Sequence, residues 1–528
     1  MKITHPFKKE PQLDISLDQT DQLLQKNNES KADQNTPPSD VEELLSRLGG
    51  FGRFQYLLVI SFAVLATPEM VQAFNMYYVG DAPNWRFVDV NTTSPSSDTT
   101  SPSSEIFPSS NKSRCDYPRS LWKYDAPKDY SVVTEYNIDC GKEWQIQLAS
   151  SAFFMGIAFG AVILGWFSDN FGRRKVLVPT YFVLQIWAVA SCFSPNMWFL
   201  TTTRFLMGFC MPALGANLST MLSELVLPKY RAKSVMGLYT LVPVGNSLLS
   251  VFAYFIPHWR YMIAAVILPN ILVSSLLLFT PESLHWLLLH DRSDEIHKLC
   301  DRIAFWNRCP KIEREHLIVI SNGYAHEKRK SSPRELFIGC HMVTITLVQG
   351  FTWLICSVVY YSLVFASNSI STGSKYVNFS VICFAELPGL LVACFVLDRF
   401  GRKMTIMVSL IFAAVCCTTL AAAPNVTGWS EARLCIGFLG RLFTTMNYVS
   451  LFVWTNEVFP THLRAQGMGF CSVMSRIGGI SAPWLTQSLV KTHVALPFSL
   501  MAGLSFLNAA LITLMPETKN RRLEDANK

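Results

Sequence analysis

Twelve apolar stretches dominate this sequence, and each is about 18–25 residues long, enough to cross a bilayer core of roughly 30 Å. Charged residues make up only 16% of the 528 residues, well below the share usual in soluble proteins. The sequence therefore predicts an all-α membrane protein. The predicted spans lie at about 55–75, 145–167, 176–193, 198–221, 235–256, 261–280, 340–365, 377–397, 404–423, 431–454, 465–488 and 496–516.

The distribution of Lys and Arg predicts how these helices are oriented. Placing both termini in the cytoplasm puts the short loops that are rich in Lys and Arg on the inner side. The short outer loops then contain few basic residues beyond Arg260, Lys375 and Lys491, as the positive-inside rule requires. The net charge of +7 then reflects topology and gives no support to nucleic-acid binding. We expect a multi-pass protein of the plasma membrane whose main partner is the lipid bilayer.

The spans divide the chain into predicted domains. A polar cytoplasmic segment at 1–40 is expected to be disordered. Two pseudo-symmetric six-helix bundles at 41–280 and 336–516 are separated by a cytoplasmic linker at 281–335, and a cytoplasmic tail follows at 517–528.

A long loop, at about 76–143, separates the first two spans and is rich in Ser, Thr and Pro. It contains sequons at Asn91 and Asn111, which are predicted glycan acceptors on the outer face. It also contains Cys115 and Cys140, for which the oxidising compartment predicts a disulfide.

Two short signatures each occur twice, at the ends of apolar runs. The first reads Asp169-Asn170-Phe171-Gly172-Arg173-Arg174-Lys175 and returns as Asp398-Arg399-Phe400-Gly401-Arg402-Lys403. The second is an acid followed seven residues later by Arg, as Glu224 with Arg231 and again as Glu457 with Arg464. The copies are 229 and 233 positions apart. A duplicated half is typical of secondary transporters, which bind the substrate where the halves meet.

The repeated residues predict a gating function at the cytoplasmic end. The glycines permit tight turns, and charge pairs between the acids and the Arg residues are expected to latch the two bundles when the cavity opens outward. A topology signal alone would explain the bases but not the repeated acids. The predicted gating residues are Asp169, Gly172, Arg173, Arg174, Glu224, Arg231, Asp398, Gly401, Arg402, Glu457 and Arg464.

Arg476 is the sharpest candidate for substrate binding, because it lies about eleven residues, or roughly 16 Å, into the eleventh span. An Arg at that depth costs about 2.5–3.5 kcal/mol, so it must face a wet cavity or a counter-charge. In a cavity it could hold a carboxylate or sulfate bidentately. Glu386 lies at similar depth in the eighth span; it could neutralise Arg476, accept a proton, or hold the cationic end of a zwitterion.

Other polar and aromatic residues within the spans allow either a structural or a binding interpretation. Arg204 and Arg441 appear at corresponding places in the fourth and tenth spans, which favours a shared architectural role. Four aromatic residues could form the walls of a site for an amphipathic solute, or else only pack between helices. They are Trp353, Tyr360, Tyr361 and Tyr448.

The duplicated Asp-x-x-Gly-Arg loops resemble those of the major facilitator superfamily. Further motifs are similar to those of the organic cation, anion and zwitterion transporter family of animals. They are Val133-Thr134-Glu135-Tyr136-Asn137-Ile138-Asp139-Cys140, Pro257-His258-Trp259-Arg260, Pro281-Glu282-Ser283-Leu284-His285-Trp286-Leu287, Tyr360-Tyr361, Glu457-Val458-Phe459-Pro460-Thr461 and Pro516-Glu517-Thr518.

The resemblance implies two six-helix bundles and exchange of small amphipathic ions by alternating access. It also implies that an Arg matching Arg476 is characteristic of anion and carnitine-type members. The chain departs from the family pattern at His285, where Arg is usual, and at Leu390, near which anion carriers often have Lys. A strict dicarboxylate exchanger is therefore not favoured.

We therefore predict a plasma-membrane secondary transporter of small organic anions or carnitine-like zwitterions, with a coupling ion or an exchanged counter-anion. One alternative is an organic cation transporter that uses Glu386, and another is a non-transporting receptor or scaffold on the same fold. The sequence contains no phosphate-binding loop, nucleophile elbow, H-E-x-x-H or Cys/His metal spacing, so we expect no enzyme, no cofactor and no metal.

Overall fold

The computed structural model describes residues 40–87, 115, 117–314, 317, 333–460 and 462–518, apart from the side chains of Glu69 and Asp398. The described chain is mostly helical. The predicted disordered segment at 1–40, except for Asp40, lies outside the described residues, as do the sequons at Asn91 and Asn111 and the tail beyond 518.

The first half of the chain contains helices α1 to α12 and two short strands. In order they are α1 (Val41–Arg47), α2 (Arg53–Val71), α3 (Met76–Val79), β1 (Trp85–Phe87), β2 (Trp122–Tyr124), α4 (Val132–Glu135), α5 (Trp144–Phe171), α6 (Arg173–Cys192), α7 (Met197–Glu224), α8 (Pro228–Tyr239), α9 (Val242–Phe255), α10 (Trp259–Val273, continued by a 3₁₀ segment Ser274–Phe279), α11 (Leu284–Leu289) and α12 (Ser293–Asn307).

The second half contains α13 to α20. They are α13 (Cys340–Phe365), α14 (Ser367–Ile370), α15 (Lys375–Phe384), α16 (Glu386–Phe400), α17 (Arg402–Ala422), α18 (Ser430–Val458), α19 (Arg464–Thr492) and α20 (Leu496–Ile512).

The helices account for all twelve predicted spans. Among the described residues, nine helical segments are long and apolar enough to cross a membrane, and two shorter apolar ones occur at Arg53–Pro68 and in α20. The remaining span is α19, which is 29 residues long. It falls outside the nine because Arg476 and several Ser, Gly, Thr and Gln residues make it less apolar than the other spans.

Two spans are broken near their middles. α8 ends at Tyr239 and α9 begins at Val242, next to Pro243; α15 ends at Phe384 and α16 begins at Glu386, two residues before Pro388. Proline has no N–H to donate to a preceding turn, and the N–H groups of the first helical turn have no partner within the helix, so each proline fits the start of a new helix. The breaks place Tyr239 and Glu386 at helix ends within the spans.

The chain divides into two compact units. The smaller one comprises Met1–Gly52 and Leu287–Glu327. Its described helices are α1 and α12, and Asn307 Nδ2 donates a hydrogen bond of 2.7 Å to the carbonyl of Leu48. The larger unit comprises Arg53–Trp286 and Lys328–Lys528 and so contains all twelve spans. The domain boundaries predicted at 280 and 336 stay predictions.

The long loop after α3 has a small ordered structure. Strands β1 and β2 pair antiparallel with Trp85 opposite Tyr124. Cys115 and Cys140 form the predicted disulfide, with their Cα atoms 5.5 Å apart. We call this end of the larger unit the disulfide end, and the opposite end, where Gly172 and Gly401 make their turns, the motif end.

Candidate functional site

Arg476 lies where the two halves of the larger unit meet. The first half comprises α2 to α10, and the second half comprises α13 to α20. It is twelve residues into α19, about 18 Å from the motif end of that helix, and is partly exposed. Its guanidinium makes a polar contact with Tyr361 of α13 and lies close enough to Tyr239 of α8 for electrostatic interaction. No carboxylate among the described side chains forms an ion pair with it, and its Nε has no hydrogen-bond acceptor.

Glu386 pairs with Arg441 and not with Arg476. Arg441 Nη2 donates to Glu386 Oε1, and Arg441 Nη1 donates to the carbonyl of Tyr360. The Tyr360 hydroxyl also donates to Glu386 Oε1, at 2.8 Å. Arg441 and Glu386 are 0% and 5% exposed, so each neutralises the other within the second half. Of the possibilities raised for Glu386 from the sequence, neutralisation of Arg476 is not what the structure has, because helix rotation decides the partner and α18 presents Arg441 to the start of α16.

A row of aromatic rings runs beside Arg476. Tyr361 contacts Phe154 of the first half at 4.6 Å between ring centroids, and Tyr360 stacks on Tyr448 at 5.0 Å. Tyr360, Tyr361 and Tyr448 are partly exposed, so their faces can line a site for an amphipathic solute. Trp353 is only 2% exposed; its indole N–H donates to Thr455 Oγ1 at 2.9 Å, and its ring packs in the core of the second half.

The architectural counterpart of Arg204 is Arg433 and not Arg441. Arg204 Nη1 donates to the carbonyl of Gln72, just after α2, at 2.6 Å. Arg433 Nε donates to the carbonyl of Ile370, after the first span of the second half, at 2.6 Å. Both guanidinium groups are almost fully buried and satisfy carbonyls that helices leave unpaired. The signal was present in the sequence, since Arg204-Phe205-Leu206-Met207-Gly208-Phe209 and Arg433-Leu434-Cys435-Ile436-Gly437-Phe438 are 229 positions apart.

The repeated motifs form two equivalent networks at the motif end. In the first half, Arg173 pairs with Glu224, and the Ser283 hydroxyl donates to the same carboxylate. In the second half, Arg402 pairs with Glu457 at 2.9 Å, and the Thr518 hydroxyl donates to Glu457 at 2.6 Å. These charge pairs lie within one half each, so in this structure they do not join the bundles.

A second acid completes each network, and sequence reasoning missed its function. Glu282 accepts a hydrogen bond of 3.0 Å from the backbone N–H of Arg174, and Glu517 accepts one of 3.0 Å from that of Arg402. Each carboxylate thus caps the N-terminus of the helix after the glycine turn, where backbone N–H groups lack partners. The repeated Pro281-Glu282-Ser283 and Pro516-Glu517-Thr518 were the available signal.

The remaining predicted gating residues lie around these networks. The Asp169 carbonyl accepts from the Trp286 indole at 3.0 Å, and Arg231 Nε donates to the carbonyl of Ser223 at 3.1 Å. Arg464 has two buried N–H groups without acceptors among the described residues. Asp398 belongs to α16, but its side chain lies outside the described part.

At the disulfide end, by contrast, hydrogen bonds join the two halves. Gln147 Nε2 of α5 donates to Gln487 Oε1 of α19 at 2.7 Å, and Ser151 donates to the carbonyl of Ile480 at 2.7 Å. Phe154, almost one helical turn after Ser151 on α5, packs against Gly479 of α19. Arg476 follows directly on α19, on the motif side of the contact.

Two ion pairs also join the halves there. Lys375 of α15 pairs with Asp81, and Lys491 of α19 pairs with Glu143. Tyr130 of the long loop accepts a hydrogen bond from Lys375 Nζ at 2.8 Å, and burial raises the pKa of Tyr130 to about 12. These four charged residues line a cavity of about 330 Å³. No pattern in the sequence indicated this arrangement.

The long loop is fixed to the first half. Glu135 accepts hydrogen bonds of 2.6 Å from both the Trp259 indole and the Arg260 guanidinium at the start of α10. Because Tyr130 belongs to this loop, its contact with Lys375 also joins the first half to the second.

Comparison with known proteins identifies the family. The sugar (and other) transporter family matches residues 50–528. Solute carrier family 22 member 1 of Bos taurus is 30% identical over 76% of this chain and 71% of its own length. The organic cation/carnitine transporter 4 of Arabidopsis thaliana is 28% identical over 92% of this chain and 90% of its own length.

A solved structure agrees with this fold. The xylose transporter XylE of E. coli, in an inward-open conformation, superposes with a TM-score of 0.61 at 15% identity, covering 90% of this chain and 98% of that one. The chain therefore belongs to the major facilitator transporters and to the organic cation, anion and carnitine transporter family among them, as a multi-pass membrane transporter of small organic solutes and not an enzyme.

Proposed function

We propose that this protein carries small organic anions or zwitterions across the plasma membrane by alternating access, with Arg476 as the binding site for the anionic group. The observation that carries the proposal is the position of Arg476 between the halves, partly exposed and without a carboxylate partner among the described residues. A guanidinium in that setting is suited to bind a carboxylate or sulfate through two parallel hydrogen bonds.

The surrounding charges support an anionic cargo. Glu386 is the other ionisable candidate at this depth, and Arg441 neutralises it. Of the described charged residues at this depth of the second half, Arg476 is therefore the one without a counter-charge. Partly exposed rings of Tyr361 and Tyr448 provide apolar surface next to it, which suits an organic body attached to the anionic group.

Access to Arg476 is proposed from the motif end, which we assign to the cytoplasm together with both termini. The contacts of Ser151 and Phe154 with α19 lie on the disulfide side of Arg476, so they separate it from that end. Release of these contacts, with closure at the motif end, would expose Arg476 to the outside. A coupling ion or an exchanged counter-anion would supply the driving force.

Uptake into cells tests the proposal. Cells that express the protein are given labelled carnitine, labelled organic anions and labelled tetraethylammonium. Arg476→Ala should reduce uptake of the anionic and zwitterionic solutes by about tenfold to a hundredfold, the loss expected for charge-assisted hydrogen bonds of about 1.5–3 kcal/mol. Arg476→Lys, which keeps the charge but loses the fork, should lie between Ala and wild type. Preference for tetraethylammonium that Arg476→Ala leaves unchanged would overturn the proposal.

The names of two relatives favour a cation carrier as the second candidate. One is the organic cation transporter protein of Drosophila melanogaster, which is 28% identical over 77% of this chain. A cation would need Glu386 to leave Arg441, or the tyrosine faces alone. Glu386→Gln combined with Arg441→Gln distinguishes the two without leaving a buried charge unpaired. The double variant should abolish uptake of a cation that binds Glu386, whereas an anion held by Arg476 should still be transported.

A further inference from the structure

Two adjacent aromatic side chains are exposed on helix α12 of the smaller unit. Phe305 is 75% exposed and Trp306 is 44% exposed, with their ring centroids 6.3 Å apart. Exposure of two large aromatic rings to water is unfavourable. A contiguous exposed apolar patch of this kind marks a surface that contacts another molecule or a membrane.

The pair is not part of the core of its own unit. α12 buries a different face, through Ile296, Leu299, Cys300 and Ile303. At 100° per residue, Phe305 points almost directly away from Ile296 and Ile303, so the helix presents a second, outward face.

Basic residues accompany the aromatic pair on that outward face. Lys298, Arg302 and Trp306 follow one another at four-residue spacing, which places them on one side of the helix. Arg308 and Lys311 come directly after α12 and are exposed. We call Lys298, Arg302, Phe305, Trp306 and Arg308 the aromatic–basic surface.

Two of the three acids of the same helix have an Arg partner. Asp294 pairs with Arg314, and Glu295 lies 4.0 Å from Arg292. The third acid, Asp301, is outnumbered by the basic residues of the aromatic–basic surface, so the end of α12 around Phe305 has a net positive charge.

We propose that the aromatic–basic surface binds the headgroup layer of an anionic membrane leaflet. Aromatic rings favour the boundary between water and acyl chains, and Lys and Arg are attracted to anionic headgroups. Gly52 of this unit is bonded directly to Arg53, the first residue of α2, so the unit is covalently tethered to a membrane-spanning helix. The inference goes beyond transport and holds whichever solute is carried, provided that the smaller unit is cytoplasmic.

Hydrogen–deuterium exchange of the full-length protein tests the proposal. The protein is placed in nanodiscs of phosphatidylcholine alone and in nanodiscs that also contain phosphatidylserine. Amides at the end of α12 should exchange up to about thirtyfold more slowly in the anionic nanodiscs, as expected for two basic side chains held at a charged leaflet.

Substitutions identify which side chains act. Phe305→Ser with Trp306→Ser should remove the protection, and Lys298→Gln with Arg302→Gln should remove its dependence on phosphatidylserine. The control Arg292→Gln, which changes charge at the other end of the same helix, should leave both unchanged. Equal exchange in the two lipids would overturn the proposal. Equal protection in lipid-free detergent would also overturn it and would indicate a protein partner or a second copy instead.

Discussion

The two ends of the larger unit are built in opposite ways. At the disulfide end, hydrogen bonds and ion pairs cross between the halves, as between Gln147 and Gln487 or between Lys375 and Asp81. At the motif end, the Arg173–Glu224 and Arg402–Glu457 pairs remain within one half.

Exposure does not separate the two ends as clearly as position does. The side chain of Lys491 is 55% exposed, but the Lys375–Asp81 pair, at 23% for each side chain, is as buried as the Arg402–Glu457 pair, at 19% and 26%. Breaking a partly buried pair costs more than breaking an exposed one. The pairs of the motif end are therefore suited to keep each half rigid, whereas those of the disulfide end must break for the halves to separate there.

The largest expected effect comes from the glycine turns of the motif end. Gly172 and Gly401 have φ values of 107° and 93°, and an added Cβ would lie 2.9 Å from Glu282 and 3.0 Å from Glu517. Gly172→Ala and Gly401→Ala should each destabilise the protein by about 1–2 kcal/mol because a left-handed residue gains a Cβ. Thermal unfolding in detergent measures the loss.

The two glycine variants also test whether the networks are equivalent. Both should lower the melting temperature by similar amounts, and Gly165→Ala in α5, where an added Cβ meets nothing within 4 Å, should not lower it. A large effect of one variant and none of the other would contradict equivalent functions in the two halves.

A smaller effect is expected at the disulfide end. Asp81→Asn or Lys375→Gln removes one of the ion pairs between the halves and should favour opening by up to about 1 kcal/mol, or about fivefold. A cysteine introduced by Ser151→Cys, at a side chain that is now buried, should react up to about fivefold faster with an impermeant thiol reagent added outside.

Exchange of the two charges is the control for this ion pair. Asp81→Lys combined with Lys375→Asp should restore the slow reaction of the introduced cysteine, because the pair is formed again with reversed sign. If the single variants react at the rate of the parent, the Lys375–Asp81 pair does not hold this end closed.

Repetition in the sequence predicted the larger features of the molecule. Apolar runs predicted the spans, and the copies around Gly172 and Gly401 predicted that both halves make the same turn. The same repetition would have identified Arg433 as the counterpart of Arg204, since both belong to an Arg-x-x-x-Gly-Phe segment. The pairing of Arg204 with Arg441 came from positions counted from the start of each predicted span. That count was a weaker guide, because the boundaries of predicted spans are uncertain by several residues.

Contacts between distant helices were beyond the sequence. The Glu386–Arg441 pair depends on the rotation of α16 against α18, and the Lys375–Tyr130 hydrogen bond depends on the path of a long loop. Neither residue pair has a fixed spacing that a pattern could reveal. The position of Arg476 in the membrane was predicted, whereas its neighbours Tyr239 and Tyr361 required the structure.

The smallest effect concerns His285. This residue adds a titratable group to the motif network of the first half, near Glu224, Arg173 and Arg231. Burial lowers the pKa of His285 below its usual value of 6.5, so the folded protein keeps it neutral where the unfolded chain is already protonated. Stability should therefore fall as the pH decreases through 6.5 towards the lowered pKa. The melting temperature should drop between pH 7.5 and 5.5, and His285→Gln should reduce that drop. An equal drop in both proteins would assign the pH dependence to other groups.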